Sequence, residues 1–338
     1  MEYIPMPDGP TPAWLTAVLR GSGALAHSAV TAVERSTSNA FNSHTSYLRL
    51  RYSAEASPDA PTRVVLKRNI PESWGVEAGA EEVKFYTVVA GLPEHPPIII
   101  PCYAAAYDET SGQSYLLLRD LSDSHMPPIT REQHISIEEG IPPAVYIEAV
   151  VDTLAQLHAY WWQHPLLDST TFSVGYWSRN AERFGQYLQR RSMAWESLIA
   201  QEGDWFPDDL RELYTRLLAR LPSHWERYLA PRFRTKTNLT LVHGDAYFAN
   251  FLCPKYPATG TTYLLDWQSP VFDLGCYDLA NLCATFWTPE QRHEGSRELG
   301  ILRRYYRVLC ASGVTDYSWE DLTEDYKSGL IFWVLMPV

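Results

Sequence analysis

The stretch LVHGDAYFANFL, residues 241–252, decides how this sequence is interpreted. Its apolar first residues predict a buried strand, and the strand leads into a His-Gly-Asp tripeptide that ends at Asp245. Asn250 follows this aspartate by five residues. We expect His243 to pack inside the loop and brace it rather than to bind a metal or act as a base. The stretch therefore predicts a loop that presents one carboxylate and one amide.

A second motif, YLLDWQSP at residues 263–270, predicts a strand that delivers Asp266 to a turn. Phosphoryl transfer needs one carboxylate near the attacking hydroxyl, and a second carboxylate with an amide oxygen to hold Mg²⁺ against the phosphates. Mg²⁺ prefers hard oxygen ligands, which these side chains offer. A loop with Asp245 and Asn250, joined by a hairpin to Asp266, can bring the three side chains to one point. The two motifs therefore indicate phosphoryl-transfer chemistry.

Both motifs resemble those of the aminoglycoside phosphotransferase and choline kinase-like family of small-molecule kinases. The family's HGDxxxxN loop matches residues 243–250, and its [IL]DW motif matches residues 265–267. The resemblance implies that Asp245 is the catalytic base and that Asn250 and Asp266 are Mg²⁺ ligands. It also implies a protein-kinase-like fold, ATP as the phosphate donor and a hydroxyl group of a small molecule as the acceptor.

The resemblance covers about residues 32–305, and two other segments contribute to it. DLGCYDLA, residues 273–280, is similar to the family's GDPxYDLA, and we expect its Asp273 and Asp278 to be structural. LAQLHAYWW, residues 154–162, is similar to the family's LAxLHAxxW. Its spacing predicts an amphipathic helix packed under the catalytic loop, with His158 in the core.

The N-terminal part contains a candidate ion pair for the nucleotide site. Lys67 ends the apolar strand of RVVLKRN, where a lysine can reach phosphates as it does in kinases. In the predicted helix at residues 77–90, Glu82 shares an apolar face with Phe85, and a carboxylate on such a face needs a partner. We therefore pair Glu82 with Lys67. Glu81 points about 100° away and is expected to be solvated.

The segment YLLLRDLSD, residues 115–123, resembles the family's hinge. The resemblance implies that backbone groups of Arg119 and Leu121 contact the adenine edge, with Leu118 behind it. From the residues alone, a buried strand followed by an ordinary loop is the alternative.

A loop over the phosphates is expected at residues 35–46, RSTSNAFNSHTS, which contain no glycine. Kinases usually cover the phosphates with a glycine-rich loop. Because Ser and Asn adopt tight turns and offer backbone amides, we predict phosphate contacts from Ser36, Ser38 and Asn39.

The pattern of elements predicts an α+β, protein-kinase-like two-lobe fold. A strand-rich nucleotide-binding lobe would cover residues 1–118, and a mostly helical catalytic and substrate-binding lobe would cover residues 119–338, with a hinge at about 118–122. A capping box at Thr288 and Gln291 opens the last predicted helix. The predicted helices are 11–21, 77–90, 144–162, 178–200, 207–221 and 288–312, and the predicted strands are 29–35, 47–52, 63–68, 102–107, 114–118, 240–242 and 263–265.

Composition restricts the partners. The chain has 28 Lys and Arg against 40 Asp and Glu, a net charge of −12, and no basic stripe of the kind that nucleic-acid binders show. We therefore expect a small hydroxylated substrate and no nucleic-acid or membrane partner. The N-terminus does not read as a signal peptide, and five scattered cysteines without a CxxC pair fit reduced thiols in a cytoplasm.

Three alternatives to transfer onto a small molecule stay open. A kinase-fold protein could bind nucleotide without transferring phosphate, although the candidate residues are all present. A metal-dependent hydrolase could use His243, Asp245 and Asp266, but it would give Lys67 no role. A protein kinase is the third alternative, although HGD replaces HRD, DWQ replaces DFG and no APE-like segment follows.

Overall fold

The computed structural model describes residues 9–39, 43–136, 139–202, 206–256 and 260–337. The chain forms two compact units, and each is made of two separate stretches of sequence. The first unit is rich in strands and the second is mostly helical, so the predicted α+β class is confirmed. The first unit comprises Met1–Met126 and Leu252–Ser269, and the second comprises Pro127–Phe251 and Pro270–Val338.

A five-stranded antiparallel sheet forms the body of the first unit, with strand order β1-β2-β3-β5-β4. Its strands follow the alternation of the sequence: Leu48 and Leu50 of the second strand are buried, and Arg49 between them is exposed. The elements are α1 (Pro12–Gly21), β1 (Val30–Asn39), β2 (Ser43–Tyr52), β3 (Arg63–Asn69), α2 (Ser73–Ala90), β4 (Cys102–Asp108) and β5 (Gln113–Arg119).

The two helices cover opposite faces of this sheet. Trp14 and Leu19 of α1 pack in a core with Leu66 of β3. Helix α2 packs against β3, β4 and β5 on the other face. Gly79 permits this close approach, because a Cβ atom there would lie 2.3 Å from Ser114 Oγ. The helix can therefore place Glu82, one turn later, near the sheet.

The first unit ends with a small three-stranded sheet of order β6-β8-β9. Its strands are β6 (His125–Met126), β8 (Phe251–Pro254) and β9 (Tyr263–Leu264), and β8 begins at the boundary between the units. Leu264 also forms a parallel bridge with Ile99. This bridge fixes the strand that precedes Asp266.

The second unit is built from helices around one short strand pair. The pair joins β7 (Thr240–Val242) to β10 (Val271–Asp273), with Val242 opposite Val271. Helix α10 packs on α4, and α11 packs on α8. The helices are α3 (Arg131–Ile135), α4 (Ala144–Tyr160), α5 (Ala181–Glu202), α6 (Asp208–His224), α7 (Ala230–Thr235), α8 (Cys276–Ala284), α9 (Pro289–His293), α10 (Arg297–Ala311) and α11 (Trp319–Val334).

The structure corrects two of the predicted elements. The helix predicted over residues 288–312 is wrong, because Gly295 and Ser296 adopt left-handed φ values of 58° and 57° and divide it into α9 and α10. The capping box of Thr288 and Gln291 is confirmed. The loop predicted over residues 35–46 is also largely wrong, because β1 continues to Asn39 and β2 already begins at Ser43.

Every helix in the described ranges is too short or too polar to cross a lipid bilayer. All five cysteines lie within those ranges and are free thiols.

Candidate active site

A buried ion-pair cluster lies between the sheet and α2 of the first unit. The ammonium of Lys67 donates to Glu82 Oε2 at 2.6 Å and also to Asp266 Oδ1. Glu82 is only 3% exposed, so it depends on Lys67 for neutralisation. The contact predicted between Lys67 and Glu82 is present, and Asp266 joins it as a third member.

The charges of this cluster reinforce one another. Burial acts on Lys67 most strongly and favours its neutral form, but the carboxylates of Glu82 and Asp266 outweigh it and raise the pKa of Lys67 to about 12. Burial also raises the pKa of Glu82, while Lys67 opposes that shift. At neutral pH the cluster therefore holds a protonated lysine beside two acidic groups.

Asp266 is held in an unusual backbone conformation by its neighbour. Its φ is +68°, in the left-handed region that aspartate tolerates better than most residues. The next residue, Trp267, is fully buried and stacks on Phe85 of α2 with ring centroids 3.8 Å apart. Its indole also donates to the Leu264 carbonyl at 3.2 Å. The tryptophan thus anchors the turn that presents the Asp266 carboxylate.

In the second unit, a buried aspartate holds the predicted catalytic loop. Asp278 of α8 accepts hydrogen bonds from the backbone amides of His243 at 2.7 Å and Gly244 at 2.9 Å. Gly244 has a φ of 83°, which favours glycine at that point of the loop. Asp278 is therefore structural, as predicted, and its role is to clamp the loop that ends in Asp245.

Two histidines brace this clamp, as the sequence predicted. His158 is fully buried and contacts Asp278 through Nε2 at 3.2 Å, while its Nδ1 lies 2.7 Å from Tyr305 Oη. His243 is also fully buried, and its Nδ1 accepts the Asp245 amide at 3.2 Å. Both imidazoles are thus committed to positioning the loop.

Asp245 itself is exposed, and amides surround its carboxylate. Asn250 donates from Nδ2 to the Asp245 carbonyl at 2.8 Å and lies 3.4 Å from Asp245 Oδ2. Asn281 Nδ2 lies 3.5 Å from Asp245 Oδ1, and its own oxygen accepts from Thr285 at 2.8 Å. The loop therefore presents an oriented carboxylate at the surface of the second unit.

The residues available to Mg²⁺ fit its preference for hard oxygen. Asn250 uses its amide nitrogen within the loop, so its amide oxygen is directed elsewhere. Asp266 uses Oδ1 for Lys67, which leaves a second carboxylate oxygen. Among the described residues, no group of three or more His, Cys, Asp and Glu side chains forms a metal site. Mg²⁺ commonly takes few protein ligands, because nucleotide phosphates and water supply the others.

The predicted hinge residues lie at the end of β5 and in the turn that follows. Leu118 is buried in the sheet, and the Arg119 amide donates to the Pro101 carbonyl at 2.9 Å. The Leu121 carbonyl accepts from the amides of Ser124 and His125. The adenine contacts of these three residues stay a prediction.

The predicted phosphate-contacting residues belong to β1. Ser36 is exposed and pairs with Tyr47 of β2, while the backbones of Ser38 and Asn39 pair with Thr45 and His44. The side chains of Ser38 and Asn39 lie outside the described residues. Their contacts with phosphate stay a prediction.

The sequence interpretation missed two positioning contacts. It gave no role to Asn281, although Asn281 follows Asp278 by one helical turn and so shares its face. It also missed the stack between Phe85 and Trp267, although Phe85 lies on the apolar helix face of Glu82 and Trp267 lies in the [IL]DW motif. The spacing of Asp278 and Asn281 was a signal for the first contact. The apolar helix face that contains Phe85 was a signal for the second.

Comparison with known proteins gives one family and several similar folds. The model of the phosphotransferase enzyme family matches residues 46–311. No curated protein matches the sequence significantly. The chain is similar to the GDP complex of wild-type aminoglycoside 2'-phosphotransferase-IIIa, with 13% identity, a TM-score of 0.49, and 91% of this chain and 93% of that chain covered.

Two further solved structures are similar at the same level. Aminoglycoside phosphotransferase APH(3'')-Id from Streptomyces rimosus is 17% identical, with a TM-score of 0.45 and coverage of 96% of this chain and 97% of that chain. An ethanolamine kinase of Plasmodium vivax is 10% identical, with a TM-score of 0.42 and coverage of 92% and 85%.

The family match covers most of the chain and includes the catalytic loop, Lys67, Glu82 and Asp266. It excludes β1, where the predicted phosphate contacts lie. This chain therefore belongs to the phosphotransferase enzyme family and has the α+β class that the sequence predicted.

Proposed function

We propose that this chain is an ATP-dependent, Mg²⁺-dependent O-phosphotransferase that transfers the γ-phosphate to a hydroxyl of a small molecule. One observation carries the proposal: the ammonium of Lys67 is held between Glu82 and Asp266, in a cluster that keeps the lysine protonated. A protonated lysine fixed in this way is suited to binding nucleotide phosphates. The hydrolase alternative gives Lys67 no role.

In this proposal, the residues of the first unit bind and orient the nucleotide. Lys67 contacts the phosphates, and Glu82 fixes the direction of its side chain. Leu118, Arg119 and Leu121 receive the adenine, and backbone amides of β1 contact the phosphates. Asp266 and Asn250 each offer a hard oxygen to Mg²⁺, which when bound neutralises charge on the phosphates.

The exposed carboxylate of Asp245 acts on the acceptor. It accepts a hydrogen bond from the acceptor hydroxyl and takes its proton as the hydroxyl oxygen bonds to the γ-phosphorus. The bond between the γ-phosphorus and the bridging oxygen breaks, and ADP leaves with that oxygen. The contacts of Asn250 and Asn281 keep the carboxylate oriented before the reaction.

We also propose a division of the chain into domains, a class of acceptor and a cellular location. We place a nucleotide-binding domain at residues 1–118, a hinge at about 118–122 and a catalytic and substrate-binding domain at residues 119–338. The acceptor is a small hydroxylated compound, since the net charge of −12 disfavours polyanions. Five free thiols fit a reducing cytoplasm.

A screen of hydroxylated metabolites and antibiotics for acceptor-dependent ADP release tests this function. We expect release to require Mg²⁺ and an acceptor, and to disappear in Asp245→Asn. Nucleotide binding without release for any acceptor would favour the binding-protein alternative. Turnover of a substrate without nucleotide would favour the hydrolase, and label from ATP appearing only in protein would favour a protein kinase.

A further inference from the structure

Two consecutive basic residues of β3 project to opposite faces of the first unit's sheet. Lys67 faces α2 and contacts Glu82. Because side chains alternate along a strand, Arg68 lies on the other face, where Leu66 packs in the core beneath α1. The side chain of Arg68 therefore lies on the face opposite the Lys67 cluster, although both residues border a second, smaller cavity.

Three strands bring Arg68 together with two other side chains. Arg68 pairs directly with His44 of β2 on one side and with Tyr115 of β5 on the other, so the three side chains form a row across one face. This row lines a cavity of about 340 Å³, which Gln113 and Ser111 also border. That volume lies at the lower end of the range for small-molecule pockets.

The cavity carries positive charge that the described residues do not neutralise. Arg68 makes no hydrogen bond or ion pair with any of them, and its Nε atom is buried. Arg35 of β1 lies on the same face, and its Nε donates to Ser46 Oγ at 3.1 Å. Burial and the positive charge of Arg35 lower the pKa of Arg68. The two cations thus repel each other beside the cavity.

Arg68 differs from comparable arginines of the chain. Arg232 is paired with Asp325 at 3.1 Å, Arg304 with Asp152 at 2.6 Å, and Arg63 with Asp120 at 2.9 Å. The sequence has 40 acidic residues, so partners are abundant. A buried donor without an acceptor is unfavourable, because folding removes it from water without giving it a new partner. The guanidinium of Arg68 is therefore available to a hydrogen-bond acceptor on a bound molecule.

We propose that this pocket binds a small molecule through a phosphate group, with the guanidinium of Arg68 as its main contact. A guanidinium offers a planar fork of donors that matches phosphate oxygens. Arg35 adds positive charge, and His44 and Gln113 offer further donors at the wall. The site is distinct from the Lys67 cluster and does not depend on the proposed transfer reaction. The charge of −12 does not oppose it, because the ligand is small and the positive charge is local.

Inorganic phosphate is the probe, titrated by calorimetry and by thermal melting at constant ionic strength. We expect phosphate to bind the wild-type chain and raise its melting temperature. Arg68→Gln should weaken binding at least about tenfold, as loss of a charged hydrogen-bond partner does. Arg68→Lys, which keeps the charge but loses the fork, should bind with intermediate affinity. Arg35→Gln should also weaken binding and serves if Arg68→Gln does not fold.

Two control variants decide where the anion binds. Arg49→Gln removes the same charge from the opposite, exposed face of β2 and should leave phosphate binding unchanged. Lys67→Met tests whether the nucleotide site holds the phosphate instead. Equal binding by Arg68→Gln and the wild type, or no binding by the wild type, would overturn the proposal. Loss of binding in Lys67→Met would overturn it too, because the nucleotide site would then hold the anion.

Discussion

The candidate residues of the first unit neutralise one another, whereas the candidate carboxylate of the second unit is exposed and a different carboxylate supports it. In the first unit, Lys67 contacts both Glu82 and Asp266 in a buried cluster. In the second, Asp245 is exposed, and buried Asp278 holds the loop through two backbone amides. In the first unit the side chains that hold one another are also those of the proposed chemistry. In the second unit Asp278 holds the loop, and Asp245 is the residue proposed for the chemistry.

This difference has an energetic consequence. Removing one partner of a buried ion pair leaves the other charge uncompensated, so function and stability change together. An exposed carboxylate can be replaced at little cost in stability, because it gives up few buried contacts. The comparison therefore predicts that mutations in the second unit can separate catalysis from folding, while those in the first unit cannot.

The largest effect is expected for Asp245→Asn. Transfer should fall by about 10²–10⁴-fold, the usual contribution of a general base, while the free energy of unfolding changes by less than about 0.5 kcal/mol. Asp278→Asn makes the same chemical change at a fully buried residue. It should lower stability by about 1–3 kcal/mol, since an amide group cannot accept both backbone hydrogen bonds.

Turnover assays and urea denaturation of both variants check this contrast. A folded Asp245→Asn with near-wild-type turnover would remove the base assignment. Equal losses of stability in the two variants would show that Asp278 contributes no more to stability than Asp245 does, and the contrast between the two residues would be wrong.

A smaller effect is expected for Asp266→Ala, measured as nucleotide affinity by calorimetry with and without Mg²⁺. Loss of this carboxylate should weaken binding by about 10–100-fold and remove most of its metal dependence. Asp59→Ala, which removes an exposed carboxylate from the same unit, is the control and should bind as the wild type does. Unchanged affinity and unchanged metal dependence in Asp266→Ala would leave Asp266 with a structural role only.

The next effect is a coupling energy between Lys67 and Glu82. We expect Lys67→Met and Glu82→Gln to be non-additive by about 0.5–3 kcal/mol in kcat/KM for ATP, because either change already breaks the pair. Glu81 and Lys84 form an ion pair on the exposed side of α2, with side chains 44% and 36% exposed, and provide the matched control. Their coupling should stay within about 1 kcal/mol. Additive losses for the buried pair would contradict its role as a unit.

The sequence predicted the parts of the site that depend on local spacing. The interval from Asp245 to Asn250 lies within one loop, and the approach of Glu82 to Lys67 follows from a helical face and a strand end. The approach of Glu82 depends on periodicity and on the cost of burying a lone charge, which a sequence reveals. The roles of Asp245 and Asn250 were implied by the family resemblance.

The parts that escaped prediction depend on pairings distant in sequence or on single backbone angles. The row of His44, Arg68 and Tyr115 exists only because three strands adopt one register. The break at Gly295 and Ser296 requires two consecutive left-handed residues, and serine rarely adopts that conformation. Neither feature has a counterpart in hydrophobic periodicity.

The last predicted effect is on stability alone and concerns Asp273, another buried carboxylate of the second unit. Burial, with some help from Asp325 and Asp278, raises the pKa of Asp273 to about 7, although the amides of Leu274 and Tyr176 oppose the shift. Because the folded pKa exceeds the unfolded one, the folded state keeps its proton longer as pH rises. This group's contribution is therefore complete below about pH 4 and is lost as pH rises through about 7, with a slope of at most about 1.4 kcal/mol per pH unit. Asp273→Asn should lack that slope, so its free energy of unfolding should differ from that of the wild type by an amount that changes with pH. Asp316→Asn, at an exposed position, should differ from the wild type by the same amount at every pH. Urea denaturation at several values between about pH 4.5 and 8 measures the free energy of unfolding across the expected titration of Asp273. If the two proteins differ by the same amount at every pH, their slopes are equal. That result would show that Asp273 is ionised throughout this range, and the constant difference would reflect only the altered hydrogen bonds.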